Sequence, residues 1–134
     1  MLAHIKKVMT FSLLSLLAAC SNTNVDTKDI SQKNFIAKLE RSENVVVLDV
    51  RSVEEFKEGH IPNAINIPHN EIEDRLPELN DLKDSDIVVY CKTGRRAAFS
   101  YEILANNGFG RIEHLDGDFS AWQENGSPIA KGSQ

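Results

Sequence analysis

Ile87-Val88-Val89-Tyr90-Cys91-Lys92-Thr93-Gly94-Arg95-Arg96-Ala97 is the stretch on which the fold turns. Ile87 to Tyr90 is a short, continuous, β-branched and aromatic run, the pattern of a strand buried on both faces. From Ala97 the apolar positions change period: Ala97, Ala98, Tyr101, Leu104 and Ala105 fall on one side of a helix. Between the two elements sits Cys91, at the carboxyl end of a strand and below a helix amino terminus. Lys92, Arg95 and Arg96 lie within five residues of it. Such a setting favours thiolate over thiol and turns backbone amides toward an anion. The stretch predicts a held thiolate that receives a negatively charged substrate.

The same alternation continues on both sides. Ser31 is placed to N-cap a helix carrying Phe35, Ile36 and Leu39 on one side. Val45-Val46-Val47-Leu48 is a second buried strand, and Ser52-Val53-Glu54-Glu55 fits a capping box at the next helix. Gly59 is expected to close that helix as a left-handed cap. Ala64 to Ile67, between Pro62 and Pro68, reads as an edge strand, because neither proline donates to a ladder. Asn70 with Glu73 repeats the N-cap pattern for a helix carrying Ile72, Leu76 and Leu79, which Pro77 breaks or restarts. Gly108 ends the helix that follows Cys91, Ile112 to Leu115 is a short strand, and Gly117 to Asn125 is a last helix with Phe119 and Trp122 in the core. Strands alternating with helices predict an α/β fold with a parallel sheet covered on both faces.

At 134 residues the chain suits one domain. Apolar residues at 41% and charged residues at 26% are ordinary for a globular protein. The net charge of -5 argues against nucleic acid as a partner, so the basic cluster at Cys91 reads as a focused anion site. The first nineteen residues differ in kind. Lys6 and Lys7 precede an apolar run, Val8 to Ala19, that is short for a bilayer span and suits a signal peptide. It ends in Leu17-Ala18-Ala19-Cys20, which resembles the lipobox of bacterial lipoproteins. That resemblance implies removal of residues 1–19 and a lipid on Cys20. It also implies a location in the cell envelope facing the periplasm or exterior. Ser21 after the cysteine favours the outer membrane where there is one. An ordinary secretory signal or an uncleaved anchor helix is the alternative. Residues 20–28 are the lipidated cysteine and a polar tether. Lipidation would leave Cys91 without a disulfide partner, and no His/Cys cluster has metal-ligand spacing, so no metal is expected.

The remainder, 29–134, resembles a single-domain rhodanese. The resemblance rests on Leu48-Asp49-Val50-Arg51 with Glu55-Phe56, then Gly59-His60-Ile61-Pro62-Asn63-Ala64-Ile65-Asn66-Ile67-Pro68. It continues with Val88-Val89-Tyr90-Cys91-Lys92-Thr93-Gly94-Arg95-Arg96, Gly108-Phe109, Leu115-Asp116-Gly117 and Ala121-Trp122. The ordered set covers nearly all of the chain after the tether. It implies a rhodanese-like three-layer fold with a five-stranded parallel sheet flanked by helices. It also implies a sulfurtransferase working through a Cys91 persulfide, with no metal and no organic cofactor. The partners would be a small anionic sulfur donor such as thiosulfate, and a thiol or cyanide acceptor. The family often carries two glycines before its last helix. Here Asp118 follows Gly117, and Asp is a good N-cap. Asn63 stands where a glycine is familiar, and Asn tolerates a left-handed turn. Ala97 stands where a serine is common.

On this reading the amides from Lys92 to Arg96, including those of Thr93 and Gly94, line a cradle around the sulfur. Lys92 and Arg95 either draw anions in or are solvated surface charges, and Arg96 either faces substrate or braces the loop. Arg51 binds substrate or forms a structural ion pair with Asp49. His60 braces the turn before the edge strand rather than acting as a base. Two rival functions stand beside sulfur transfer. A cysteine-loop phosphatase or arsenate reductase would need Arg six residues after the cysteine, where this chain has Ala97. A membrane-tethered sulfane-sulfur carrier or binding module would use the same cysteine without fast turnover.

Overall fold

The structure is a computed structural model that describes residues 26–41 and 44–133. The expected signal peptide and the Cys20 lipidation site lie outside the described residues. Five parallel strands form one sheet: β1 (Asp29–Ile30), β2 (Val45–Asp49), β3 (Ile65–Asn66), β4 (Asp86–Tyr90) and β5 (Ile112–Leu115), in the order β1-β5-β4-β2-β3. Four α-helices connect and cover it: α1 (Gln32–Glu40), α2 (Val53–Glu58), α3 (Arg95–Asn106) and α4 (Asp118–Glu124). This is the five-stranded, helix-flanked parallel sheet expected from the sequence.

β4 is central. It pairs with β2 over five residues, Val45 opposite Asp86 through Asp49 opposite Tyr90, and with β5 on its other side. Side chains alternate across a strand, so β4 feeds two cores. Ile87, Val89 and then Cys91 join Leu48, Ala97, Leu104 and Ile112 beneath α3. Val88 and Tyr90 join Val47, Phe35, Phe56, Phe119 and Trp122 beneath α1, α2 and α4. Cys91 thus continues the α3-facing register of its strand past the last ladder residue.

Local chemistry explains most element ends. The Ser31 hydroxyl accepts the Asn34 amide, and Ser52 and Glu55 form the reciprocal capping box that starts α2. Asn63 sits in the left-handed region at φ 63, as its side chain permits. Three expectations change. Gly59 has φ 169, an extended conformation, and closes α2 without a left-handed turn. A β-carbon there would lie 3.0 Å from Ile129 Cγ2, so packing rather than backbone freedom suits a glycine. Residues 70–75 form turns, followed by a 3-10 helix, Leu76–Leu82, with Pro77 at its second position. Proline lacks the amide and collides with the carbonyl four residues back, which prevents one α-helix across this segment. Ile72 and Leu79 are buried all the same. Asp118 is the first residue of α4 rather than its N-cap, a position held by Gly117.

Candidate active site

The site is built where β4 ends. After Tyr90 the chain curls through Cys91 to Gly94 and enters α3 at Arg95. Gly94, at φ 112, makes the curl possible. Its amide then donates to Cys91 Sγ at 3.0 Å, while its carbonyl accepts the Ala98 amide in the first turn of α3. Cys91 as a residue is only 1% exposed. The thiol therefore sits under its loop, bonded to a main-chain donor, and not out on a surface. Lys92, Thr93 and Arg95 are exposed, and Arg96 is half-buried.

α4 holds this loop from the opposite side. The Phe119 amide donates to the Cys91 carbonyl at 3.0 Å. The Ser120 amide and hydroxyl both donate to the Lys92 carbonyl, at 3.2 and 2.8 Å. The Cys91 amide donates to the buried Asp118 carboxylate at 2.9 Å. Asp118 takes a left-handed φ of 52, which aims its carboxylate back at the loop and not at the amides of its own helix. His114 completes this underside. Its Nε2 lies 3.1 Å from both Asp118 oxygens and its Nδ1 lies 3.2 Å from Asp29 Oδ1. Two carboxylate acceptors require both ring nitrogens to be donors, which is the imidazolium form. Burial alone would lower the His114 pKa, but hydrogen bonding and charge from Asp118, then from Asp29, raise it.

The other cationic groups divide by partner. Arg96 donates from Nη1 and Nη2 to the two Glu55 oxygens at 2.7 and 3.0 Å, tying the first turn of α3 to α2. This hydrogen bonding with Arg96 holds the Glu55 carboxyl at about 2, well below its ordinary range. The Arg96 guanidinium is in turn raised, by Glu55 first and by Cys91 after it, so it lies within electrostatic reach of the sulfur. Arg51 is buried. It bonds Asp49 through Nε and Nη2, gives Nη2 also to the Gly59 carbonyl at 2.7 Å, and stacks 4.0 Å above the Phe119 ring centroid. Asp49 accepts further from the Tyr90 hydroxyl at 2.6 Å, and the same hydroxyl accepts the Ile61 amide. Burial, then Asp49, pushes the Tyr90 pKa upward, so the phenol stays protonated. His60 stacks on Phe56 at 3.6 Å, donates from Nδ1 to the Phe56 carbonyl, and exchanges backbone hydrogen bonds with Ala130.

Two clefts meet the loop. One, of about 470 Å³, is lined by Arg51, Glu55, Gly59, Lys92, Phe119 and Lys131 among others. The second, of about 450 Å³, is formed by His69, Arg95, Arg96 and Phe99. Lys92 thus faces the first cleft and Arg95 the second. The sequence pointed to Cys91, its cationic loop and the Asp49–Arg51 strand end. It did not single out Asp118, His114, Ser120 or Tyr90. Among the described residues no group of His, Cys, Asp and Glu is arranged to hold a metal.

A buried cysteine at the carboxyl edge of a parallel sheet, with the Gly94 amide on its sulfur and guanidinium groups beside its loop, belongs to an α/β domain with its site at the strand ends. Residues 31–125 match the family described as Rhodanese-like domain, and the chain belongs to that family. It is 34% identical over 105 residues to a protein named sulfurtransferase from Allochromatium vinosum, covering 78% of this chain and 92% of that one. Over 70 residues it is also 34% identical to the thiosulfate sulfurtransferase PspE of Escherichia coli, covering 52% and 67% of the respective chains. Among solved structures, a rhodanese-related protein from Thermoplasma volcanium superposes with a TM-score of 0.69 at 30% identity. That match covers 77% of this chain and 97% of the other.

Proposed function

We propose that the protein is a sulfurtransferase that carries sulfane sulfur on Cys91 from thiosulfate or a related anionic donor to a thiophilic acceptor. The Cys91 thiolate attacks the outer sulfur of thiosulfate. A new S–S bond forms, the donor's S–S bond breaks, and sulfite leaves with the bonding pair. The acceptor, a thiol in the cell or cyanide in the test tube, then attacks the outer persulfide sulfur. It takes that sulfur and returns the thiolate. No metal, cofactor or external oxidant enters either step.

The observation that carries this reading is the 3.0 Å contact from the Gly94 amide to Cys91 Sγ, in a loop that brings Lys92, Arg95 and Arg96 to its mouth. A main-chain donor stabilises the thiolate, the persulfide anion and the charge that develops as sulfite leaves. The cationic rim raises the local concentration of anionic donor. The test is the intact mass of the full chain after thiosulfate exposure. One added sulfur atom, removed by cyanide and absent in Cys91→Ser, is the expected result. A mass unchanged by thiosulfate or polysulfide would overturn it. Slow release to cyanide and to thiols would mark a carrier, and hydrolysis of an aryl phosphate would mark the phosphatase alternative.

We further propose that the domain works at a membrane surface, tethered through lipid on Cys20. The support is the Leu17-Ala18-Ala19-Cys20 ending of the apolar run. Two or more acyl chains make such an anchor firm. Expression in a bacterial host followed by detergent phase partition should place the wild type in the detergent phase and Cys20→Ala in the aqueous phase. Equal partition of both would refute the anchor.

A further inference from the structure

The pattern beneath the active loop is not explained by sulfur transfer alone. A carboxylate, Asp118, is buried at 2% exposure and accepts the amide of the nucleophilic residue itself. A β-carbon on Gly94 would lie 3.1 Å from Asp118 Oδ2 and 3.5 Å from the His114 ring, so the loop rests directly on this pair. An anion placed under a thiolate opposes it, because like charges disfavour each other's ionised forms. The arrangement works only if the anion is offset. His114 supplies the offset through contacts to both Asp118 oxygens and stays anchored to Asp29 on the far side.

We propose that Asp118 and His114 form a positioning pair, in which Asp118 fixes the Cys91 amide and the His114 proton cancels the Asp118 charge beneath the cysteine loop. The inference rests on the sulfur-transfer reading of Cys91. It makes sulfur loading depend on a proton that takes no part in the chemistry.

The surroundings of His114 fix the sign. β1 presents Asp29, α4 presents Asp118, and the loop presents Gly94 and Cys91. From α3, Tyr101 accepts the Lys28 amide, while the Lys28 ammonium pairs with Glu113 at 3.0 Å; Arg95 is exposed. The charged partners bound to the His114 ring are therefore anionic, and its pKa is raised. A raised pKa keeps the cation present at lower pH and loses it as pH climbs through that value. Loading of Cys91 should then decline on the alkaline side, where Asp118 loses its counter-charge.

Three full-chain proteins test the pair: wild type, His114→Gln, and His114→Gln with Asp118→Asn. Asparagine tolerates the left-handed φ of 52 at position 118 and keeps an oxygen to accept the Cys91 amide, so the double variant removes the charge and not the support. Two readouts are taken against pH. One is thiolate absorbance near 240 nm as a difference from the matching Cys91→Ser protein, and the other is the rate of persulfide formation with thiosulfate. His114→Gln should lower the thiolate absorbance at neutral pH and slow loading there by about three- to tenfold. The double variant should recover most of both losses and lack the alkaline decline of the wild type. A purely structural pair predicts the reverse, since a second change to it would deepen the damage. An unaffected His114→Gln, or a double variant worse than the single, overturns the proposal. If no protein loads sulfur yet the absorbance pattern holds, the sulfur-transfer reading fails and the charge pairing stands.

Discussion

Replacing Glu55 by Gln separates the two tasks this side chain performs. Glutamine at the third helical position still completes a capping box with Ser52, so the substitution tests charge rather than the cap. What it removes is the bidentate contact with Arg96 at 2.7 and 3.0 Å. Lowering a carboxyl from 4.5 to about 2 corresponds to at most about 3.4 kcal/mol of stability at neutral pH. The pair is partly exposed, with side chains at 28% and 30% of full accessibility. Solvent screening and the ordering of two long side chains cut the net value to about 1–1.5 kcal/mol. That is a loss of about 4–6 °C in Tm for a domain of this size.

The pH dependence gives the sharper test. The folded-state pKa of Glu55 is depressed, so its contribution is complete above its ordinary value of 4.5. It fades as pH falls toward about 2. Urea unfolding of wild type and Glu55→Gln at pH 7 and at steps down to pH 2.5 should show a gap that closes across that window. A gap of the same size at pH 7 and pH 2.5 would refute the ion-pair account. The persulfide-loading rate of the variant should also fall, because Arg96 lies in the first turn of α3, directly behind the cysteine loop.

Asp49→Asn should cost about 3–5 kcal/mol in urea unfolding, because it leaves the buried Arg51 guanidinium without its counter-charge; a cost under about 1 kcal/mol would show that the Gly59 carbonyl and the Phe119 ring suffice. Gly117→Ala should destabilise by about 1–3 kcal/mol, since it combines φ 75 with a β-carbon 2.5 Å from Ala121 Cβ. Gly59→Ala carries no backbone strain at φ 169 and meets Ile129 Cγ2 at 3.0 Å and Phe119 Cζ at an ordinary 3.7 Å, so it should cost about 1 kcal/mol or less. Equal costs at the two glycines, measured by the same urea titration, would undo the distinction between backbone and packing.

Legibility in the sequence followed the range of the interactions. β4 and β2 announced themselves through β-branched runs, and α2 through Ser52 and Glu55, because those signals are local. β1 did not. It is two residues long, Asp29–Ile30, and exists because β5 offers His114 and Leu115 as partners. The segment before β4 carried helical spacing at Ile72, Leu76 and Leu79, and burial follows it at Ile72 and Leu79, yet Pro77 fixed a different backbone. Asp118 marks the limit most clearly. A short acidic side chain before a helix is ordinarily an N-cap. Here the left-handed backbone turns it onto an amide 27 residues earlier in the chain. The available signal was its departure from a familiar pair of glycines. What that departure does emerges only when β5 and α4 are seen meeting under the loop.

The near-complete burial of Cys91 bears on which donors the site admits. Cys91 extends the Ile87–Val89 register, so its side chain starts toward the α3 core, and the Gly94 amide closes over the sulfur. At 1% exposure, access is set by how far the loop around the sulfur must move and not by reactivity alone. A donor that presents a single terminal sulfur on a narrow anion can reach Sγ with little movement of the loop. A broad electrophile cannot do so without displacing the loop, whose Cys91 backbone is held by Phe119 and Asp118 and whose Lys92 carbonyl is held by Ser120. Thiosulfate loading should therefore proceed in the folded protein, while N-ethylmaleimide modifies Cys91 at least about tenfold more slowly there than in urea. Maleimide labelling followed by mass spectrometry, with Cys91→Ser to subtract any other site, reads the ratio directly. Equal rates in the folded and unfolded chain would mean that the loop opens freely, and size selection at the sulfur would have to be abandoned.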